Sequence, residues 1–135
     1  MKHLKFPFAE TTTVEVKNRK KSFTLECELA SSEIEIFQSL AYRKKKDFTQ
    51  PLALVFSSPT VQYFSKQSFD FPLVQVNVDY QSNLVKKVFH IPRSSKVNGN
   101  YIQAFSEFSL VLFIPANSDL INQIVLDETV IKVTK

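Results

Sequence analysis

The sequence predicts a β-rich α+β domain, built as a small barrel or a strongly bent, mostly antiparallel sheet of about seven or eight strands with two helices. Three observations support this fold class. The 135 residues match the length of one ordinary domain, short segments with a period of two outnumber helical segments, and 13 phenylalanines supply the bulk of a core. We expect residues 1–135 to form a single domain, with residues 1–11 extended or poorly ordered.

The first two strands are predicted from alternating residues on either side of a basic turn. Residues Thr12 to Lys17 alternate in polarity, and the turn Asn18 to Lys21 follows them. In the next segment the apolar residues share one parity: Phe23, Leu25, Cys27 and Leu29. The polar residues take the other parity: Ser22, Thr24, Glu26 and Glu28. Cys27 is therefore expected in the core, and the two glutamates are expected on the solvent side.

Two helices are predicted from capping residues and apolar stripes. Ser32 and Glu35 have the spacing of a capping box, in which each side chain accepts a hydrogen bond from the other residue's backbone amide. An apolar stripe follows: Ile36, Phe37, Leu40 and Ala41. The basic run Arg43 to Lys46 falls where positive charge suits the negative end of the helix dipole. Ser118 is expected to cap a second, short helix.

The remaining segments are typical of short strands. They are Leu52 to Phe56, Val61 to Phe64 after a Ser57-Ser58-Pro59 break, Leu73 to Tyr80, Leu84 to Ile91, and Val130 to Val133. Phe108 to Ile114 is almost entirely apolar, as in a strand covered on both faces. Gln75 and Asn77 oppose the apolar parity of their strand and should face solvent. Asn83 can adopt the left-handed conformation of a turn, and Pro92 to Asn100 is expected to be a mobile loop.

Several short runs carry a family resemblance. Gln38 to Arg43 corresponds to an Arg-Gly-Leu-Met-x-Arg pattern, of which Leu40 and Arg43 are identical. Tyr63 to Ser68 corresponds to Phe-Trp-Met-Lys-Asn-Thr, of which Lys66 is identical. On these runs the chain resembles the bacterial and archaeal domain of unknown function family 192, and we expect it to be a diverged member.

The resemblance extends from about Phe23 to Val133, and it implies a β-rich single domain with no established activity. The family's glycines correspond here to Ser39, Asn83 and Asp127. Since Asn and Asp are the residues that best replace glycine at positive φ, the last two substitutions can preserve the turns.

The residue types that build reactive centres are sparse. The single glycine, Gly99, leaves no Gly-rich loop for a nucleotide or dinucleotide. The lone Cys27 cannot form an internal disulfide, and only His3 and His90 are available as histidine ligands. We therefore predict no cofactor, no metal site and no catalytic residue.

The sequence also lacks the marks of a membrane or secreted protein. No stretch approaches the roughly 20 apolar residues that span a bilayer, and no signal peptide is visible at the amino terminus. We expect a soluble, cytoplasmic protein without a membrane span, unless a leader has been removed.

One segment mixes aromatic rings with amine, amide, hydroxyl and carboxylate groups. This segment, Tyr63 to Phe71, has a composition used to recognise sugars, bases and peptides, which is also found in cores. The candidate ligand-binding residues are Tyr63, Lys66, Gln67 and Asp70, together with Arg43, which matches the family's arginine. The favoured function is a noncatalytic module that binds a small molecule or a protein, with its contact surface here and at Pro92 to Tyr101. The identity of the ligand and the oligomeric state stay open.

Two other functions stay open as alternatives. A hydrolase would use a carboxylate pair in a cleft, drawn from Glu26, Glu28, Asp70 and Asp79. A weak nucleic-acid binder would use the net charge of +4, provided that the basic clusters form one face. These clusters are Lys17 to Lys21, Arg43 to Lys46, Lys86 with Lys87, and Arg93 with Lys96. Because they fall mostly at turns and element ends, where solvated charge is common, nucleic acid is not the favoured partner.

Overall fold

The computed structural model describes residues 6–37, 40, 43–60, 67–69, 71–91, 94–97 and 107–134. Nine strands are described: β1 (Thr11–Lys17), β2 (Ser22–Ala30), β3 (Leu52–Thr60), β4 (Gln67–Phe69), β5 (Leu73–Asp79), β6 (Val85–Ile91), β7 (Ser94–Val97), β8 (Phe108–Pro115) and β9 (Val130–Val133). One α-helix is described, α1 (Glu33–Phe37). The predicted β-rich class is therefore confirmed.

Seven of the strands form one sheet in the order β6-β5-β8-β3-β2-β1-β9. Its neighbours pair antiparallel except β2 and β3, which run parallel with Glu28 opposite Leu52. The mostly antiparallel sheet expected from the sequence is thus present. A separate two-stranded sheet joins β4 and β7.

The sheet does not close into the predicted barrel. β6 and β9 are its two edge strands, and an isolated bridge between Leu84 and Val130 links the start of one to the start of the other. Backbone hydrogen bonds from Val85 to Thr129 (2.9 Å) and from Ile131 to Asn83 (2.9 Å) reinforce this link. The two edges therefore meet at this bridge without pairing along their length in the described residues.

The helical content of the described residues is lower than the sequence predicts. The capping box at α1 is confirmed, since the Glu35 amide donates to Ser32 Oγ (3.2 Å) and the Ser32 amide donates to Glu35 Oε1 (3.2 Å). The second predicted helix is wrong in type: Asp119–Gln123 is a 3₁₀-helix, capped by Ser118 as expected. Another 3₁₀ turn, Lys45–Asp47, lies within the basic run.

Two apolar layers cover the faces of the sheet. The first is rich in phenylalanine and includes Phe48, Phe69, Phe71, Phe108 and Phe113. The second is rich in valine and leucine and includes Val14, Val76, Leu112 and the fully buried Cys27, whose burial was predicted. β8 contributes to both layers, so the prediction of a strand covered on both faces is confirmed.

β5 is also buried on both faces, which corrects the prediction that Gln75 and Asn77 face solvent. Their exposed fractions are 0% and 1%, and Gln75 Nε2 donates to Asn77 Oδ1 at 2.8 Å. β5 lies between β6 and β8 in the sheet. Gln75 and Asn77 share a strand face with Leu73, and the Phe-rich layer, which includes Leu73, covers that face. This hydrogen bond gives a partner to one donor of Gln75 and to the side-chain oxygen of Asn77, and buried polar groups need such partners.

The structure confirms two predicted turns and shifts the predicted boundaries of two strands. Asn83 (φ 60°) and Asp127 (φ 63°) are left-handed, as expected of residues that stand in for glycine. The expected break at Ser57-Ser58-Pro59 lies inside β3, whose register with β8 shifts between Val55 and Thr60. The loop predicted from Pro92 contains β7, and the strand predicted at Val61 to Phe64 lies outside the described residues.

Candidate functional site

The two segments that the sequence analysis chose as a contact surface lie side by side. β4, from the first segment, pairs antiparallel with β7, from the second, with Gln67 opposite Val97 and Phe69 opposite Ser94. Of the candidate residues on the first segment, Gln67 has its backbone in this ladder. Tyr63, Lys66 and Asp70 lie outside the described residues.

Aromatic side chains connect this small sheet to the main core. Phe69 and Phe71 are buried, with exposed fractions of 4% and 2%, and their ring centroids lie 5.4 Å apart. Phe71 in turn lies 5.4 Å from the ring of Phe48. Tilted rings at this distance pack favourably. Phe69 and Phe71 are therefore core residues, which is one of the two roles that the sequence left open for the aromatic residues of this segment.

Beside Phe71 there is an open groove of about 800 Å³, which we call the Phe71 groove. Its lining combines aromatic, proline, lysine and small polar residues: Lys45, Lys46, Phe48, Thr49, Phe71, Pro72, Pro115, Ala116 and Asn117. Three parts of the chain meet here, namely the 3₁₀ turn at Lys45, the entry to β5 and the end of β8. The entry and the end are adjacent because Leu73 pairs with Pro115.

Sequence reasoning missed most of this groove. The lysines were interpreted as charges at a helix end or as part of a basic cluster for nucleic acid, and neither Pro72 nor Asn117 was chosen as a candidate site residue. The available signal was the pair of prolines, Pro72 before one buried strand and Pro115 at the end of another. Only the sheet order, which the sequence does not give, places β5 next to β8.

The structure places Arg43, the remaining candidate residue, in a buried ion pair with Glu28. Arg43 Nη1 donates to Glu28 Oε1 at 2.9 Å and Nη2 donates to Oε2 at 2.7 Å, and the two side chains are 0% and 1% exposed. The prediction that Glu28 faces solvent is therefore wrong. β2 is an interior strand of the sheet, and Glu28 lies near its end, where other parts of the chain cover both faces.

The N-terminal strap, Phe6 to Phe8, supplies part of that cover. The Phe8 amide donates to Glu28 Oε2 at 2.6 Å. The rings of Phe6 and Phe8 lie 4.3 Å and 5.3 Å from Arg43 Cζ, within the range of cation–π attraction. Arg43 Nη1 also donates to the Asp47 carbonyl at 3.0 Å, which anchors the turn that carries Lys45 and Lys46.

Among the described carboxylates proposed for a hydrolase, Glu28 and Asp79 lie far apart along the sheet, and Glu26 differs from Glu28 in its exposure and partners. Glu26 is exposed and accepts from Thr11 Oγ1 at 3.4 Å, while Asp79 accepts from the Ser82 amide and hydroxyl, both at 2.8 Å. Glu28 is opposite Leu52, which pairs with Phe113, whereas Asp79 pairs with Phe108. Five residues of β8 separate these two levels by roughly 16 Å along the strand. Asp70 lies outside the described residues.

Neither Cys27 nor His90 has the surroundings of a reactive group. Burial, with a smaller contribution from Glu26, raises the pKa of the Cys27 thiol from its ordinary 9.0 to about 12. A thiol in that state is a poor nucleophile at neutral pH. His90 is exposed on β6, and within the described ranges no three His, Cys, Asp or Glu side chains group closely enough to hold a metal ion.

Two cations of the basic clusters, and Lys132 outside them, are paired with carboxylates. Arg19 lies 2.9 Å from Glu128, Lys86 lies 2.9 Å from Asp127, and Lys132 lies 3.9 Å from Glu15. The hydrogen bond to Asp127 raises the pKa of Lys86. The hairpin turn after β1 and the start of β6 thus both approach the turn at Asp127 and Glu128, whose carboxylates neutralise the two cations. This arrangement does not favour a continuous basic face.

The fold and the Phe71 groove together define a β-rich domain with an open candidate ligand groove among its described residues. No family model matches the sequence, and no curated protein matches it. Within the described residues, no helix has the length and apolarity to cross a membrane.

Two solved structures share the fold. One is a "putative transcription regulator" from Sinorhizobium meliloti, which is 14% identical with a TM-score of 0.67 and 98% of each chain covered. The other is a protein of unknown function from Novosphingobium aromaticivorans, which is 13% identical with a TM-score of 0.66, over 90% of this chain and 84% of the other. Identities this low show a common fold alone.

Proposed function

We propose that this chain is a noncatalytic binding domain that takes a small molecule with an apolar body in the Phe71 groove. The groove itself carries the proposal. Its volume of about 800 Å³ falls within the range of about 300 to 1,000 Å³ found for ligand sites. Its lining combines two phenylalanines and two prolines with lysine, threonine and asparagine side chains.

The position of the groove supports the same function. Its floor includes Phe71, the last residue of the segment that the sequence analysis favoured for ligand contact. The paired strands β4 and β7 lead to this floor through the Phe69–Phe71 ring contact. Two sides are fixed by buried structure, the β5–β8 ladder on one and the Arg43 anchor on the other. Since the walls of the groove are already fixed, little conformational entropy is lost when a ligand binds.

Membership of domain of unknown function family 192, with the cytoplasmic setting expected from the sequence, is part of this proposal. The left-handed Asn83 and Asp127 support it, because the resemblance aligns both residues with family glycines. The family has no established activity, so the binding role depends on the groove and not on the resemblance.

A titration with a neutral apolar probe tests the proposal. We expect 1-octanol to shift the backbone amide resonances of Thr49, Phe71 and Asn117 in a saturable way. Ala116→Trp should weaken this response, because Ala116 is an exposed lining residue of the groove and an indole there would occupy part of it. Gln81→Trp, in the exposed turn after β5, is the matched control and should bind like the unmodified protein. Resonances unmoved by octanol, or equal loss in both variants, would refute the proposal.

A further inference from the structure

We infer that the ligand of the Phe71 groove is a small amphipathic carboxylate, with its apolar body on the aromatic floor and its charged head at Lys45 and Lys46. The inference rests on the proposed function and adds the chemical class of the ligand. It follows from the way in which charge is distributed around the groove.

The described lining of the groove is positive. Lys45 and Lys46 are both exposed at its rim, and none of its described lining residues is acidic. Among the described residues, the nearest carboxylate in sequence is that of Asp47, which is not among the lining residues. Its Oδ2 accepts from the Lys44 amide at 3.3 Å, so this carboxylate caps its own turn. An anion entering the groove therefore meets two cations without a competing carboxylate in the described lining.

The lysines are held in place at their backbone. Arg43, which is buried against Glu28, donates to the Asp47 carbonyl at 3.0 Å, and the Asp47 amide donates to the Lys44 carbonyl at 2.9 Å. The turn between these anchors therefore holds the backbone of Lys45 and Lys46, which both belong to the lining of the groove. Attraction between charges is stronger beside an apolar wall than in open water, because the local dielectric constant is lower.

The shape of the groove selects the rest of the molecule. The apolar part of the lining consists of the exposed Pro72, the half-buried Pro115 and the edges of the buried rings of Phe48 and Phe71, and a small inorganic anion would leave this surface in contact with water. A molecule with both an apolar body and a carboxylate covers this surface and neutralises the lysines at once. Asn117 and Thr49 add polar side chains at the rim for the second carboxylate oxygen. Octanoate is the simplest probe with this chemistry, and 1-octanol is its neutral counterpart.

Calorimetric titration of the full chain with octanoate, 1-octanol and acetate tests the inference. Octanoate should bind about tenfold more tightly than octanol, because its carboxylate gains one exposed ion pair with each of the two lysines. Acetate, which lacks the apolar body, should not bind measurably. Lys45→Gln/Lys46→Gln should remove that advantage and leave octanol binding within about twofold. Lys17→Gln/Lys20→Gln removes the same charge from the hairpin after β1, outside the groove, and is the matched control.

The outcomes separate the inference from the proposed function. If octanol binds and octanoate binds no better, the domain binds apolar molecules but the inference is wrong. Equal weakening of octanoate by the two double variants would also overturn it, because the attraction would then come from net charge. If neither octanol nor octanoate binds, the proposed function fails together with the inference.

Discussion

Replacing Arg43 with methionine tests whether the buried ion pair stabilises the fold. The substitution removes two charge-assisted hydrogen bonds, at 2.9 and 2.7 Å, from a glutamate that is 1% exposed. The Glu28 carboxylate would then stay buried with the Phe8 amide as its remaining described donor. Removing one member of a buried pair typically costs roughly 3–5 kcal/mol, because the other charge is left uncompensated.

That loss is large relative to the stability of a domain of this size. Domains are typically stable by roughly 5–15 kcal/mol, so Arg43→Met should lower the urea midpoint strongly and Tm by about 10–20 °C. Unfolding would be followed by far-ultraviolet circular dichroism in urea, with the slope checked against that of the unmodified protein.

A double-mutant cycle separates the free energy of the Arg43–Glu28 interaction from the cost of leaving one buried charge without a partner. Glu28→Gln alone should also cost several kcal/mol, since it leaves the guanidinium of Arg43 buried without its counter-ion. Glu28→Gln/Arg43→Met removes both charges and keeps an oxygen that can accept from the Phe8 amide. This variant should be clearly more stable than the sum of the two single losses predicts. A loss below about 1 kcal/mol for Arg43→Met, or additive losses in the cycle, would refute the reasoning.

Three further predictions concern residues outside the groove. Cys27 should react with iodoacetamide at pH 8 only through unfolding, because burial raises its pKa to about 12; rapid labelling of the native protein would contradict this. The same shift keeps the native thiol protonated while an unfolded thiol ionises, so the stability should fall more steeply from pH 9 to 12 than that of Cys27→Ala. Asn83→Gly should preserve stability at φ 60°, whereas Asn83→Val should cost roughly 1–2 kcal/mol in urea unfolding; equal values would contradict the backbone argument.

The local features of the fold could be predicted from the sequence because they depend on neighbours along the chain. The capping box of Ser32 and Glu35, the burial of Cys27 and the left-handed Asn83 each follow from residues within one turn or one strand. Alternation also located β5 and its hairpin partner β6 within one or two residues. These features needed no knowledge of which strands are adjacent in space.

The burial of the polar residues that alternate with the apolar ones along a strand could not be predicted in this way. Alternation assigns Glu28 to the face opposite Cys27, but it does not tell whether that face meets solvent or a second layer. The residues that cover Glu28 are distant in sequence, since Arg43 is 15 positions away and Phe8 is 20 positions away. The same reason applies to Gln75 and Asn77, which share a strand face with Leu73, since the Phe-rich layer that covers this face comes largely from other segments of the chain.

The candidate site has a similar dependence on long-range structure. Each of its parts has an ordinary local explanation: the lysines as turn charges, the phenylalanines as core, and the prolines as strand boundaries. They form a groove because Arg43 fixes the lysine-bearing turn through the Asp47 carbonyl, and the pairing of Leu73 with Pro115 fixes the opposite side. The arginine of the buried ion pair thus also holds the turn that carries the lysines of the groove. A variant that loosens Arg43 should therefore disturb ligand binding even though this side chain is buried away from the rim.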